Sequence, residues 1–253
     1  MSERITIKSP SQLDKMRAAG RLVGETLNYI ESLVRVGVST WELDREAEMF
    51  IRSHGGIPSF LNYEGYPASI CTSVNEQVVH GIPSDDVVLK EGDIISIDVG
   101  ATYKGMVADS AYTYPVGEVT DEIKMLLETT KKSLYAGIEK MCVNNYLEDI
   151  SGAIEDVAVE KKLGIVRQYG GHGVGMQMHM EPFLFNYRTG NKGPILKSGY
   201  VIAIEPMLNL GGDDVYTLKD EWTVVTKDGK PSAHFEHTVA VTDNGPLILT
   251  KRD

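Results

Sequence analysis

A ten-residue segment occurs twice in the chain, and each copy ends on an acidic residue. The first copy is LKEGDIISID, ending at Asp98, and the second is LKSGYVIAIE, ending at Glu205, with five identical positions. Its β-branched composition, after a Lys-x-Gly turn, predicts a strand in both copies. Because side chains alternate along a strand, each acid should lie on the face that carries small residues, opposite the packed isoleucines. The repeat therefore predicts two related halves whose acids can converge.

Helix signals precede both copies in the same order. Ser9 and Ser39 each begin a capping box, and the second of these helices should stop at Gly55-Gly56. Thr120 caps a third apolar-periodic segment, and a fourth helix is predicted from about Leu147 to about Leu163. Each half thus has two helices followed by strands. This order predicts an α+β fold with twofold pseudosymmetry.

The composition of the chain indicates its cellular compartment and excludes some classes of binding partner. The 253 residues, of which 42% are hydrophobic, suffice for one buried core, and the net charge of −11 disfavours nucleic acid and anionic membranes. The first residues lack a signal peptide, no apolar run could span a membrane, and two cysteines cannot build a disulfide framework. We therefore expect a cytoplasmic protein with a single catalytic domain over residues 1–253, repeated at about 9–119 and 120–249. A membrane partner and a direct nucleic-acid function are not expected.

Three further residues extend the acidic pair into a candidate metal centre. Asp109 follows Asp98 across a short turn, so both carboxylates could bind one cation. Glu236 follows Glu205 after turns that indicate an added hairpin. His172 lies in Gly-Gly-His-Gly-Val-Gly, where the flanking glycines let the backbone approach closely and leave the imidazole accessible. Four carboxylates and one imidazole are mostly hard ligands. They match two divalent cations, for which Co, Mn, Fe(II) and Zn are all compatible.

Each of these residues taken singly also has a structural interpretation. A lone aspartate at a strand end is more often a cap or a solvated residue than a ligand, and Glu236-His237 could be an exposed edge pair. Their joint placement at matching points of a repeat favours the metal centre. A magnesium-dependent phosphoryl-transfer enzyme is a rival interpretation, but it would need a phosphate-binding loop or a basic cluster that this sequence lacks.

The motifs resemble those of the methionine aminopeptidases, which have the pita-bread fold. The likeness extends from about Gln12 to about Leu249, and Val-Val-His80-Gly-Ile-Pro is less typical of the related Xaa-Pro dipeptidases and creatinases. The family's ligand motifs match at five positions: Asp98, Asp109, His172, Glu205 and Glu236. The resemblance is to the short, bacterial-like type I form. It implies two pseudosymmetric halves with a central antiparallel sheet and helices packed outside.

The resemblance also assigns roles to the ligands. Asp109 and Glu236 would bridge two metals, Asp98 would chelate one of them, and His172 and Glu205 would complete the shell of the other. Water made acidic by the metals would supply the nucleophile, and Glu205 would accept its proton.

Two more histidines and an apolar pocket follow from the same resemblance. His179 would steady the scissile carbonyl or the oxyanion and His80 would contact the peptide nitrogen, although each could instead be a satisfied polar core residue. The methionine pocket maps onto Phe60, Tyr63, Tyr66, Cys71, Met178 and Trp222. The family pattern has a small residue at position 60 and an aromatic residue at 178, so Phe60 and Met178 suggest an exchange that conserves volume. Cys71 is expected to be a pocket wall, since no base is paired with it.

The implied function is metal-dependent removal of the initiator methionine from nascent proteins and peptides, with a small second residue preferred. Nascent N-termini would be the partners, the ribosome is a further candidate partner, and a monomer is expected. Two alternatives use the same fold: an Xaa-Pro dipeptidase-like peptidase and a non-catalytic binding protein. Retention of all five ligand positions disfavours the second.

Overall fold

The computed structural model describes residues 5–252, in which four α-helices surround antiparallel sheets. The helices are α1 (Pro10–Glu31), α2 (Thr40–Ser53), α3 (Asp121–Ile138) and α4 (Leu147–Glu160). The predicted capping boxes at Ser9 and Ser39 are present, and the side chain of Thr120 caps α3. Helix α4 ends before the predicted Leu163, because Lys162 adopts a left-handed φ of 57° that an α-helix cannot continue through. None of these helices has the length and apolarity needed to cross a membrane.

The described strands differ widely in length. In chain order they are β1 (Ile57–Pro58), β2 (Cys71–Val74), β3 (Gln77–Val79), β4 (Ile94–Tyr103), β5 (Met106–Pro115), β6 (Gly164–Ile165), β7 (Gly171–Gly173), β8 (Met180–Leu184), β9 (Val201–Ile204), β10 (Met207–Asn209), β11 (Val215–Thr217), β12 (Val224–Thr226), β13 (Ser232–His234), β14 (His237–Thr242) and β15 (Gly245–Ile248). A short 3₁₀ turn at Tyr63–Gly65 lies between β1 and β2. The predicted strands at the repeat correspond to β4 and β9.

Two sheets position the candidate ligands. In the first, β4 lies between β1 and β2 and also pairs with β5, and in the second the order is β15-β14-β9-β7-β8. Hydrogen bonds join the two sheets: the Glu236 amide donates to the Ala111 carbonyl at 2.9 Å, and the Thr238 hydroxyl donates to the Asp109 carbonyl at 2.8 Å. The smaller sheets have the orders β13-β10-β6 and β11-β12-β3. The hairpin of β11 and β12 is the excursion that was predicted between Glu205 and Glu236.

Each half buries one face of its repeated strand under its own helices. Ile95 and Ile97 of β4 pack with residues of α1 and α2, and Ile202 and Ile204 of β9 pack with residues of α3 and α4. A fully buried isoleucine contributes about 1.5–3 kcal/mol, so these contacts hold the strands in register. The opposite faces are left to carry polar groups. The division into halves at about residues 9–119 and 120–249 stays a prediction, although both halves follow the same element order.

Candidate active site

Asp98 and Asp109 project from the same face of the β4–β5 hairpin. Asp98 lies opposite Ala111, and Asp109 lies opposite Gly100. Opposite residues of an antiparallel pair share a face, as do residues two apart on one strand, so the two carboxylates are diagonal neighbours. The short turn between β4 and β5 therefore brings together the acids expected to bind one cation.

The second half supplies the other three candidate ligands. His172 on β7 pairs with Ala203 on β9, and Glu205 directly follows β9. Glu236 lies between β13 and β14, and its neighbour His237 pairs with Ile204, which places Glu236 beside Glu205. The sheet register thus directs acids from both halves to one place.

The candidate ligand atoms lie close enough to share cations. Nε2 of His172 is 3.5 Å from Oδ2 of Asp109 and 3.5 Å from Oε1 of Glu205. One possible ligand atom each from Asp109, His172 and Glu236 lies within 4.8 Å of the others. Asp98 lines the same cavity as these residues. The structure therefore brings all five predicted ligands together, while the role of each in metal binding stays a prediction.

The site has an excess of buried negative charge. Burial, and then the charges of Asp109 and neighbouring acids, raise the pKa of the Asp98 and Glu236 carboxyls well above their usual values. Burial lowers the pKa of His172, but its contacts with Asp109 and Glu205 outweigh this and raise it to about 9. Such shifts show that these acids need positive charge beside them to ionise together.

Two carboxylate oxygens of the site lack hydrogen-bond partners, and this tests whether a metal ion fits there. Oδ1 of Asp98 and Oε1 of Glu236 are fully buried and have no hydrogen-bond partner within the described part of the chain. A buried polar atom without a partner costs about 1–3 kcal/mol, and more when it is charged. Carboxylate oxygens with one imidazole suit divalent cations of the first transition row. The donor set, its charge and its unpartnered oxygens therefore fit a divalent-metal centre.

Several residues that support the candidate ligands were not identified by the sequence analysis. Thr238 accepts a hydrogen bond from the Asp109 amide at 3.1 Å, and the Ser110 hydroxyl donates to the Glu236 carbonyl. His234 is buried with its Nε2 3.6 Å from Oε2 of Glu205. The hydroxyl residues within or beside the acidic motifs could have indicated Ser110 and Thr238 as supporting residues. The position of His234 could not be predicted in this way, because it depends on the pairing of β13 with β10.

An apolar pocket adjoins the acids. A cavity of about 130 Å³ is lined by the five candidate ligands and by residues predicted for substrate binding: Phe60, Tyr63, Tyr66, Cys71, His80, His179 and Trp222. Tyr66 stands edge-on to Trp222 with ring centres 5.1 Å apart, and its hydroxyl donates to the Gly81 carbonyl at 2.9 Å. Six of these seven side chains are aromatic or imidazole rings, so the wall is rigid and offers ring faces to a ligand, and Glu64 completes the lining.

Met178 is placed differently from the other predicted pocket residues. It is buried but absent from the cavity lining, and it packs in a cluster that Phe60 also contacts. A Cβ atom added at Gly100 would lie 2.6 Å from Cε of Met178 and 2.8 Å from Cε1 of Phe60. Both side chains therefore meet over the glycine of β4, with Phe60 facing the cavity and Met178 behind it. This contact is compatible with the proposed exchange of volume between the two positions.

The two catalytic histidine candidates are held by specific neighbours. The Tyr63 hydroxyl lies 3.0 Å from Nδ1 of His179, which leaves Nε2 as the ring nitrogen available to a substrate. His80 has a left-handed φ of 60°, a conformation that non-glycine residues adopt mainly where surrounding structure enforces it. Burial, followed by the nearby His234 and His179, lowers the pKa of His80 to about 4. His80 is therefore neutral at pH 7 and can both donate and accept a hydrogen bond.

Cys71 lies opposite Asp98 in the pairing of β2 with β4. Burial, and then the charge of Asp98, raise the pKa of its thiol well above the usual value. A protonated, buried thiol is a poor nucleophile, so its position agrees with the prediction of a pocket wall.

Comparison with known proteins identifies the family. Residues 14–243 match metallopeptidase family M24. The chain belongs to this family. It is 51% identical over 247 residues to methionine aminopeptidase 1 of Bacillus subtilis, and the matched region covers 98% of this chain and 99% of the relative. It is 50% identical over 246 residues to the methionine aminopeptidase of Clostridium acetobutylicum, with 97% and 98% of the two chains covered.

Solved structures of M24 relatives agree with the fold. The methionine aminopeptidase of Thermotoga maritima matches with a TM-score of 0.96 and 40% identity, covering 98% of this chain and 100% of that chain. The predictions of a pita-bread fold and of a methionine aminopeptidase-type hydrolase are confirmed. The Xaa-Pro dipeptidase of Bacillus anthracis has a TM-score of 0.80 at 24% identity and covers 98% of this chain but 63% of that chain. It shares the fold alone, so the alternative function gains no support from it.

Proposed function

We propose that this chain removes the N-terminal methionine from nascent proteins and peptides and prefers a small second residue. The observation that carries the proposal is the single cavity in which the five-ligand group adjoins a wall of aromatic rings. A thioether binds mainly by dispersion and interacts well with aromatic rings, so this wall suits a methionine side chain. The volume of about 130 Å³ leaves room for one side chain beside the reacting centre.

Two divalent cations would be held by the five ligand candidates: Asp98, Asp109, His172, Glu205 and Glu236. Asp109 and Glu236 would bridge them, with Asp98 on one cation and His172 and Glu205 on the other. When bound, such cations acidify a water molecule and polarise a carbonyl group. Co, Mn, Fe(II) and Zn all suit these donors, and elemental analysis of protein purified without chelator would identify the metal that is bound.

The chain's own residues would bind the substrate and move protons. The side chain of Glu205 is 13% exposed against 5% for Asp109, which makes Glu205 the better placed of the two to accept a proton from water. His179, held through Nδ1 by Tyr63, would donate from Nε2 to the scissile carbonyl as negative charge develops there. The neutral His80 would accept a hydrogen bond from the peptide nitrogen or donate one to it.

The remaining proposals concern the setting of the enzyme. The N-termini of nascent chains would be its partners, and the ribosome is a further candidate. We also propose a cytoplasmic monomer with a single catalytic domain. The relatives named above are methionine aminopeptidases that match this chain over nearly their whole length, which supports the first of these proposals, that chain N-termini are the partners.

Peptide assays test the proposal directly. The metal-loaded protein should release methionine from Met-Ala-Ser and leave Ala-Pro and Met-Pro almost uncleaved. His172→Ala and Asp98→Ala should lower kcat/KM for Met-Ala-Ser by at least about a hundredfold, as expected for loss of a metal ligand. His54→Ala, which removes an exposed histidine at the end of α2, is the matched control and should keep full activity. Efficient Xaa-Pro cleavage with inert Met-Ala-Ser would overturn the assignment.

A further inference from the structure

Three aromatic side chains follow one another along the outer face of β8 and its continuation, and we call Phe183, Phe185 and Tyr187 the aromatic ladder. The alternate residues Leu184 and Asn186 are fully buried, so Phe183 and Phe185 face away from the core, while Tyr187 is half-buried and packs against it. The rings of Phe183 and Phe185 lie 4.8 Å apart, and those of Phe185 and Tyr187 lie 5.4 Å apart. Phe183 is 41% exposed and Phe185 is 37% exposed. Adjacent exposed phenylalanines form a continuous apolar surface, unlike scattered single residues.

The ladder begins beside the reacting centre. His172 on β7 pairs with Phe183 on β8, so their side chains share a face of the sheet. Phe183 also lines a groove of about 460 Å³ together with His80, His172, His179 and Glu205. The apolar surface is therefore continuous with the site at which the peptide bond would be cleaved.

The ladder leads away from that site for several residues. Successive ladder positions are about 6.6 Å apart, since a strand rises about 3.3 Å per residue. From Phe183 to Tyr187 is thus about 13 Å, which about four residues of an extended peptide would cover. Strand β8 is at the edge of its sheet, and no described strand covers its outer side. An extended chain that leaves the site can lie beside this edge.

The ladder is also held in place before any ligand arrives. The guanidinium carbon of Arg167 lies 4.5 Å from the centre of the Tyr187 ring, and the same side chain is paired with Asp213 at 2.8 Å. At the other end, the Phe183 ring packs closely over the backbone of Gly170: a Cβ atom added there would lie 3.1 Å from Cζ of Phe183, although it would meet the Leu184 carbonyl oxygen first, at 2.4 Å. Rings with fixed positions lose little conformational entropy on binding.

We propose that the aromatic ladder is an extended substrate subsite, which binds apolar side chains at about the third to sixth residues of the polypeptide. The inference rests on the proposed aminopeptidase function, because the occupant is the same polypeptide whose N-terminus enters the cavity. The continuity of the groove with the ladder favours this occupant over a separate protein. An apolar side chain at those positions would cover ring surface that is now exposed.

Peptides of matched length test the subsite. The series is Met-Ala-Gly-Gly-Gly-Gly with one glycine at a time replaced by leucine, and Met-Ala-Ser is the short reference. For the unmodified protein, leucine at one or more of positions three to six should raise kcat/KM about fivefold to tenfold, mainly through a lower KM. Phe185→Ser should reduce this gain to less than twofold. It should leave Met-Ala-Ser nearly unchanged, since a tripeptide is too short to reach the second ladder ring.

Two further variants separate the subsite from a structural role. Phe185→Leu keeps an apolar side chain and should retain most of the gain. Tyr216→Ser removes an aromatic residue that is 52% exposed on β11, in a different sheet from β8, and should leave the gain intact. Equal kcat/KM across the leucine series, or an equal loss on Met-Ala-Ser and the hexapeptides in Phe185→Ser, would overturn the subsite alone. Failure to cleave any peptide that begins with methionine would overturn the proposed function as well.

Discussion

Replacement of Glu236 by glutamine should stabilise the metal-free protein and abolish its stabilisation by metal. Ligand atoms of Glu236 and Asp109 lie within 4.8 Å of each other in a fully buried site. Two ionised carboxylates at that separation would repel each other by about 3.5 kcal/mol at an effective dielectric constant of about 20. The raised pKa of Glu236 shows that the metal-free protein avoids this repulsion by protonating Glu236, which itself costs stability at neutral pH. Glutamine keeps the shape of the side chain without the need to take up a proton, and its amide can donate to Asp109. The expected gain is at most about 3 kcal/mol, which would raise the Tm of a chain of this size by up to roughly 6–12 °C.

Thermal unfolding before and after metal addition measures both effects. After dialysis against chelator, Glu236→Gln should melt above the unmodified protein. Addition of Mn²⁺ at about 100 times its Kd should stabilise the unmodified protein by about 2.7 kcal/mol and the variant much less. The control is Asp243→Asn, which removes an exposed charge and should change the stability by less than about 0.5 kcal/mol in either state.

The sign of the change in the metal-free state decides the outcome. A Glu236→Gln variant that melts below the unmodified protein after chelation would show that crowding the buried acids together costs the metal-free protein no stability. The site would then not hold an excess of buried negative charge, whatever the effect of the substitution on activity.

Three other predictions concern the pocket and its support. Phe60→Cys should raise the KM for Met-Ala-Ser about fivefold in steady-state assays, because it removes ring contacts from the cavity wall, and an unchanged KM would show that Phe60 does not line the pocket. Asp44→Ala should lower the free energy of unfolding in urea by about 2–4 kcal/mol, because Oδ1 of Asp44 accepts from the buried amides of Ser69 and Ile70 at 2.8 and 3.0 Å. Asp44→Asn keeps an acceptor and should recover most of this loss, and equal losses in both variants would speak against the hydrogen bonds. His80, with its pKa lowered to about 4, should make the protein lose stability as the pH falls from 6.5 to 4, because the unfolded chain takes up the proton first. This loss should shrink in His80→Gln, and identical pH profiles for the two proteins would contradict it.

Local signals in the sequence predicted most of the fold. Capping boxes mark helix starts because the cap and its partner lie within three residues, so Ser9 and Ser39 could be interpreted without tertiary information. The alternation of side chains along a strand, which is also a local signal, predicted that the packed isoleucines and Asp98 lie on opposite faces. The end of α4 was placed too late because Lys162 is left-handed, which its residue type does not indicate.

The features that could not be predicted depend on contacts between distant segments. Met178 lies behind Phe60 because both meet over Gly100, a contact that joins three separate parts of the chain. The left-handed backbone of His80 and the position of His234 beside Glu205 likewise depend on strand pairing. The exposure of Phe183 and Phe185 follows from the position of β8 at a sheet edge, and residue type alone would have favoured burial.

The five candidate ligand side chains that line the acidic cavity, three of them buried and two partly buried, should hold two divalent cations. Calorimetric titration of chelator-treated protein with Mn²⁺, checked by elemental analysis of the dialysed complex, measures this stoichiometry. We predict two equivalents per chain for the unmodified protein and for His54→Ala, and at most one for Asp98→Ala and for His172→Ala. Two equivalents retained by both ligand variants, or no binding by the unmodified protein, would contradict the account.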